Sequence, residues 1–253
     1  MDHALVTRIL DRYSYYRTCS LDNLKEECVT FIRHKDLRGK LYGAPETLVV
    51  IAPPGLGLDR VGPFTVYEDA APELCFTLVH HVLSANAVCP EDVISPEAVI
   101  HPTAVVGTDG LKMVRRPEGG RVFFKHVGNV VVEDFARIGA QSVIHRACLD
   151  STRIGMGAVV GSLCNVGHNA EIGNKTIVTA GVMVGGSAVI GKDCFVGMGA
   201  VIRNGVHIAS KTFIGAGSVV TKNIRRPGVY FGSPARYVRP WDGHWETKEG
   251  DLK

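Results

Sequence analysis

Between Ile154 and Val220 an aliphatic side chain returns at every sixth position. The anchors are Ile154, Val160, Val166, Ile172, Val178, Val184, Ile190, Val196, Ile202, Ile208, Ile214 and Val220. Glycine follows the anchor at 155, 161, 167, 173, 185, 191, 197 and 215, and the fourth residue after each anchor is short or medium-sized. A period of six matches neither a helix nor simple strand alternation. It suits a chain that bends at regular corners, one short strand and one turn per hexapeptide. Three hexapeptides close a triangular coil, and stacked coils merge the aliphatic positions into one core. The glycines are expected where a corner demands positive φ or close packing. An ordinary buried β-run with chance spacing is the competing explanation. The pattern predicts a mainly β chain built on a hexapeptide-repeat parallel β-helix.

Upstream, Ile94, Ile100 and Val106 open the same phase, and Val132, Ile138 and Ile144 resume it. Residues 107–129 interrupt it with a charged stretch expected to loop out from one vertex, either as a lid over a groove or as a neutral insertion. A second irregularity, HRACLDSTR, reads as two five-residue steps through Ile144, Leu149 and Ile154. Residues 1–92 lack the phase. Ala4, Leu5, Ile9 and Leu10 begin an amphipathic segment, and Ser20 is placed to cap a helix or helix-to-strand passage over LDNLKEECVTFI. Thr47–Ile51 and Phe64–Tyr67 read as strands, and Ala71–Leu83 has helical spacing. The chain thus divides into a small α/β domain (1–92), a β-helix (93–226, with loop 107–129) and a short C-terminal tail (227–253) whose polar end suits a disordered terminus.

The charge balance of +3 is too mild to point to nucleic acid, and no apolar run approaches the roughly 20 residues of a membrane span. The start of the chain lacks a signal-peptide pattern. Seven cysteines, without a CxxC, read as reduced thiols of a cytoplasmic protein. No metal-ligand set is expected, because His80-His81 lies on a helical stretch without supporting ligands.

With the repeat, its interruption and the segments IHRACLDSTRIG and NVGHNAEIGN in view, the chain resembles the hexapeptide-repeat acyltransferases, whose β-helix is left-handed. It is most similar to the UDP-3-O-acylglucosamine N-acyltransferases and the CoA-dependent nucleotide-sugar N-acyltransferases. The likeness covers residues 93–222 and includes Thr108-Asp109-Gly110, Leu149-Asp150 and Gly167-His168-Asn169. It reaches Thr30-Phe31-Ile32 and Leu48–Ile51 in the first domain, which implies nucleotide-sugar binding there, with Phe31 stacking on the base. Leu37 stands where that family has a second aromatic residue. Ile144-His145-Arg146 is more similar to the related O-acyltransferases. Val219-Val220-Thr221-Lys222 and Gly232-Ser233-Pro234-Ala235-Arg236 are similar to CoA-dependent sugar acetyltransferases.

The resemblance implies transfer of an acyl group from coenzyme A to the amine of a nucleotide-linked amino sugar for a surface glycan, by a homotrimer. Alternatives are an acyl-carrier-protein-dependent step of lipid A synthesis and a non-catalytic hexapeptide scaffold. The γ-class carbonic anhydrases share the β-helix, but the HxxxxH pair of their zinc site is absent. His168, two residues past an anchor, should project outward at a corner, and histidine suits the proton step of acyl transfer. Asn169 would orient it or turn the corner, and a backbone N–H near Gly186 could face the oxyanion. His145 and Arg146 would meet sugar or phosphate, or form a solvated turn. Asp109 and Asp150 would bind substrate or orient a histidine. Lys222, Arg225, Arg226 and Arg236 form a basic end suited to the phosphates of CoA, or a solvated tail.

Overall fold

A computed structural model of the protein describes residues 3–13, 17–58, 61–85, 87 and 89–243; the polar end of the expected tail, 244–253, lies outside the described residues. The chain forms two compact units, one of Met1–Cys89, Leu111–Val127 and Cys148–Asp150, the other of Pro90–Gly110, Gly128–Ala147 and Ser151–Lys253.

The first unit contains helix α1 (His3–Tyr13), strands β1 (Arg17–Thr18), β2 (Cys28–Phe31), β3 (Val49–Ala52) and β4 (Thr65–Glu68), and helix α2 (Pro72–Leu83). The strands pair in parallel in the order β1-β2-β3-β4. Alternation divides their side chains between two faces. Val29, Val49 and Ile51 pack with Ile9, Phe76 and Val79 of the helices. Cys28, Val50 and Ala52 face the other way, toward Leu41 and Leu48. Of the helix or helix-to-strand passage expected after Ser20, the helical part does not form and the strand part does, at Cys28–Phe31. Residues 21–27 are turns and irregular chain, and the Ser20 hydroxyl is buried without a partner. The β-branched run Val29-Thr30 adds to the parallel sheet instead, and tertiary pairing overrides a weak capping signal. A 3-10 helix at Lys35–Leu41, which the spacing did not predict, buries Leu41.

The insertion at 107–129 is not a loose loop. Met113–Arg115 and Arg121–Phe123 form an antiparallel hairpin. Val114 and Val122 pack on Leu74 of α2. Phe124 stacks on His80 at 4.3 Å between ring centroids, and Lys125 Nζ donates to the carbonyls of Ser84 and Ala85 just past the end of α2. Val114, Val122 and Phe124 are thus spent on packing, while Leu111, Met113 and Phe123 stay exposed.

The second unit is a left-handed parallel β-helix. Its three parallel sheets hold six, eight and six strands, the eighth strand of the middle sheet being antiparallel. They begin at Val93–Ile94, Val99–Ile100 and Val105–Thr108. Register stacks anchor on anchor: Ile154 beside Ile172, then Ile190, then Ile208. These side chains, with Ala158, Cys164, Ala170 and Ala188, form one continuous core. The glycines after the anchors serve packing, not positive φ. A Cβ on Gly173 would lie 2.5 Å from the backbone carbon of Gly191 in the next coil. Positive φ falls two positions later, as at Asn169 (φ 58°) and Gly181 (φ 70°).

The HRACLDSTR irregularity differs from the expected pair of short steps. Ile144 and Ile154 are both anchors, paired with Val166 and Val132, so the step of ten between them is one enlarged corner. Leu149 does not enter the helix core; with Cys148 it packs in the first unit. The tail also differs. Gly228–Phe231 adds in parallel to Thr212–Ile214, and Arg236–Arg239 returns antiparallel to it, while Tyr230 and Ala235 cover the end of the core. Among the described residues no helix is long and apolar enough to cross a membrane.

Candidate functional site

In the second unit, Arg146, His168 and Gly186 occupy equivalent places, two residues past the stacked anchors Ile144, Val166 and Val184. His168 is half-buried. Its Nδ1 lies 3.2 Å from Asn169 Oδ1. A carboxamide oxygen only accepts, so this bond requires the proton on Nδ1 and leaves the lone pair on Nε2. Asn169 also turns the corner in the left-handed region, and its amide donates to Thr152 Oγ1 at 2.8 Å. The imidazole lies against Gly186: a Cβ there would sit 2.7 Å from His168 Nε2. Glycine at 186 thus makes room for the ring.

One coil earlier, His145 Nδ1 meets the Asp109 carbonyl at 3.0 Å and Nε2 meets Asn165 Nδ2 at 3.2 Å. Arg146 is held by backbone and charge together. Its Nε donates to the Gly107 carbonyl at 2.6 Å and lies 3.5 Å from Asp109 Oδ1. Asp109 therefore pairs with Arg146 through its carboxylate and orients His145 only through its carbonyl. Asp92 accepts from the Val130 amide at 2.8 Å, and its carboxylate fills the space where Gly107 would carry a side chain.

At the far end of the helix unit, Lys222, Arg225 and Arg236 are exposed. The Ala235 amide donates to the Val219 carbonyl at 2.8 Å, which brings the turn before Arg236 beside the strand that leads to Lys222. Arg226 is exposed as well, and its guanidinium lies 4.3 Å from the Tyr237 ring centroid.

In the first unit, the half-buried Phe31 ring lies 4.8 Å from Phe76, with the Arg33 guanidinium 6.0 Å from its centroid. Leu37, on the 3-10 helix itself, is partly buried against the core that holds Leu41. Asp150, at φ 61°, accepts from Asn23 Nδ2 at 2.7 Å.

Sequence reading missed Asn165, Asp92 and Thr152. Asn165 had a visible signal. Along its sheet the outward residues before the anchors are Val105, Val143, Asn165, Met183, Val201 and Val219. Asn165 alone among them is polar. Asp92 and Thr152 bond to backbone far away in sequence, and nothing in the repeat announces that.

The family described as bacterial transferase hexapeptide (six repeats) matches residues 187–222. A UDP-3-O-acylglucosamine N-acyltransferase from Campylobacter jejuni strain RM1221 is 41% identical over 75 residues, which cover 30% of this chain and 23% of that relative. The chain thus matches about a quarter of the length of that relative. Among solved structures, the UDP-N-acetylglucosamine O-acyltransferase of Moraxella catarrhalis RH4 is 17% identical, with TM-score 0.45, over 58% of this chain and 72% of that one. PerB from Caulobacter crescentus, solved with CoA and GDP-perosamine, is 22% identical, with TM-score 0.33, over 82% of this chain and 95% of that one. The bacterial transferase hexapeptide model thus matches residues 187–222 of the β-helix, and the coils before it continue the same six-residue register.

Proposed function

We propose that the protein is an acyltransferase that moves an acyl group from acyl-CoA to the amine of a nucleotide-linked amino sugar, for surface glycan synthesis. The observation that carries this reading is the His168–Asn169 bond, which leaves the imidazole lone pair on Nε2 at an outward corner. The neutral amine attacks the thioester carbonyl carbon and forms the C–N bond. His168 Nε2 takes the proton released from nitrogen, a step worth roughly 10²–10⁴ in rate when well placed. Collapse of the tetrahedral adduct breaks the C–S bond, and the imidazolium returns the proton to the CoA thiolate. A backbone N–H at Gly186 faces the oxyanion. In the second unit Asp109, His145, Arg146 and Asn169 serve the sugar and its phosphates, and Lys222, Arg225, Arg226 and Arg236 the cofactor; in the first unit Phe31 serves the base and Asp150 substrate binding.

The 41% identity to a UDP-3-O-acylglucosamine N-acyltransferase favours a second reading, an acyl-carrier-protein-dependent step of lipid A synthesis. Steady-state turnover with acyl-CoA and with acyl-carrier protein, in parallel, separates the two. Failure with both donors across a panel of amino-sugar nucleotides would leave a non-catalytic scaffold.

A further inference from the structure

Asn165 lies outward on the strand that leads into Gly167-His168-Asn169, and the groups around it determine which way its carboxamide points. The Asp109 carbonyl oxygen can only accept, so His145 Nδ1, 3.0 Å away, carries a proton. In the neutral ring, Nε2 then has the lone pair and can only accept. Its partner at 3.2 Å is therefore the Asn165 NH2 group, in agreement with the placement of Nδ2. By elimination the carboxamide oxygen points away from His145. No described residue donates to it.

We infer that Asn165 Oδ1 is a fixed acceptor for an N–H of the acceptor sugar's amine, and that His145 is the positioning residue that sets its polarity. This rests on the acyl-transfer reading above and supplies something that reading lacks. A base at His168 removes a proton but does not aim the nitrogen. A second acceptor on the same strand-to-corner segment would hold one N–H while the other faces His168. The chemistry also discriminates. A donor-rich amine satisfies the carbonyl oxygen, whereas an analogue with hydrogen in place of the amine leaves it unpaired on binding. The surrounding outward residues, Val143, Met183 and Val201, offer no competing polar group on that sheet.

Two measurements test this, and the first needs no turnover. Calorimetry would follow binding of GDP-perosamine, of a UDP-linked 4-amino sugar and of the matching deamino analogues. Asn165→Leu should weaken binding of whichever amino sugar the wild type holds by about tenfold, the loss of one hydrogen bond to an amine, and leave the deamino analogue unchanged. His145→Gln keeps an acceptor toward Asn165 and a donor toward the Asp109 carbonyl, so it should lose less of the preference for amine over deamino ligand than His145→Leu, which leaves the carboxamide free to turn. Equal loss for amine and deamino ligand, or unchanged amine binding in Asn165→Leu, overturns the inference while leaving the acyl-transfer reading intact. If the wild type binds none of these ligands, that reading fails. 15N chemical shifts of His145 test the relay without any ligand: a proton on Nδ1 is the expected result, and a proton on Nε2 overturns the inference.

Discussion

Asn169 Oδ1 and Gly186 act on His168 in different ways, one by fixing its tautomer and the other by leaving it space. The bond from Nδ1 keeps the lone pair on Nε2, the form a general base needs. Because the ring is half-buried and projects from a corner, it contributes nothing to the aliphatic core. His168→Ala should therefore lower kcat by at least about tenfold with little change in Tm or in nucleotide-sugar affinity, the signature of a group used in the transition state. Steady-state kinetics and a thermal melt on one preparation check both halves. A variant with wild-type kcat would remove His168 from the chemistry. The place of this histidine was legible because the six-residue phase fixes which positions face out. Its tautomer was not, since it depends on where the Asn169 side chain turns at a residue with positive φ.

Among the elements, α2 shows what periodicity reaches and what it does not. Its span follows from the spacing of Leu74, Cys75, Leu78, Val79 and Val82, and Pro72 stands at its start. The hairpin packed on it was not legible, because Val114, Val122 and Phe124 find their partners in a helix far away in sequence. The same holds for Leu149, whose aliphatic side chain mimicked an anchor but packs in the first unit. His80 joins these pieces. It is fully buried, its Nδ1 lies 2.7 Å from Thr18 Oγ1, and its Nε2 lies 2.9 Å from the Lys125 carbonyl. The carbonyl only accepts, so Nε2 carries the proton of a neutral ring. Burial, the largest influence, pushes its pKa down from 6.5 to about 4. The unfolded chain therefore takes up a proton before the folded one does. Stability from this group is complete above pH 6.5 and is lost as pH falls toward 4. At 1.36 kcal/mol per unit the loss across that window is about 3 kcal/mol. Urea midpoints at pH 7 and pH 4.5 measure it, with His80→Gln as the control that keeps a donor and an acceptor but does not titrate. An equal pH slope in the two proteins would assign the acid sensitivity to other groups.

For the whole molecule, assembly and donor choice depend on faces that the repeat leaves exposed. The β-helix from Ile154 to Val220 was legible because its coils repeat the same environment, so one phase error would expose an entire row of anchors. Its closing strands were not, since Gly228–Phe231 breaks the phase and is placed by pairing with Thr212–Ile214. Outward positions on one sheet are apolar at Val105, Met183 and Val201, which are 48, 47 and 40% exposed. Rows of this kind suit a homotrimer of symmetric copies. Light scattering at micromolar concentration should give three times 27.3 kDa, and a monomer would exclude shared faces. The donor prediction concerns the opposite kind of surface. CoA carries a 3′-phosphate and a pyrophosphate, so its enzyme needs several cations at one place, whereas a carrier protein needs a broad basic surface for an acidic helix. Lys222 and Arg236 are exposed, and the Ala235–Val219 bond brings their segments to the same end of the helix unit. Arg226 lies over Tyr237 and is left out of the test. Charge-assisted contacts are worth about 1.5–3 kcal/mol each. Replacing Lys222 and Arg236 together with Ala should therefore raise KM for acyl-CoA at least about tenfold and leave KM for the sugar nucleotide nearly unchanged. Both proteins are assayed with acyl-CoA and with the matching acyl-carrier protein. If the wild type accepts only the carrier protein, or the double variant keeps its KM for acyl-CoA, the cofactor assignment fails and the carrier-protein reading replaces it.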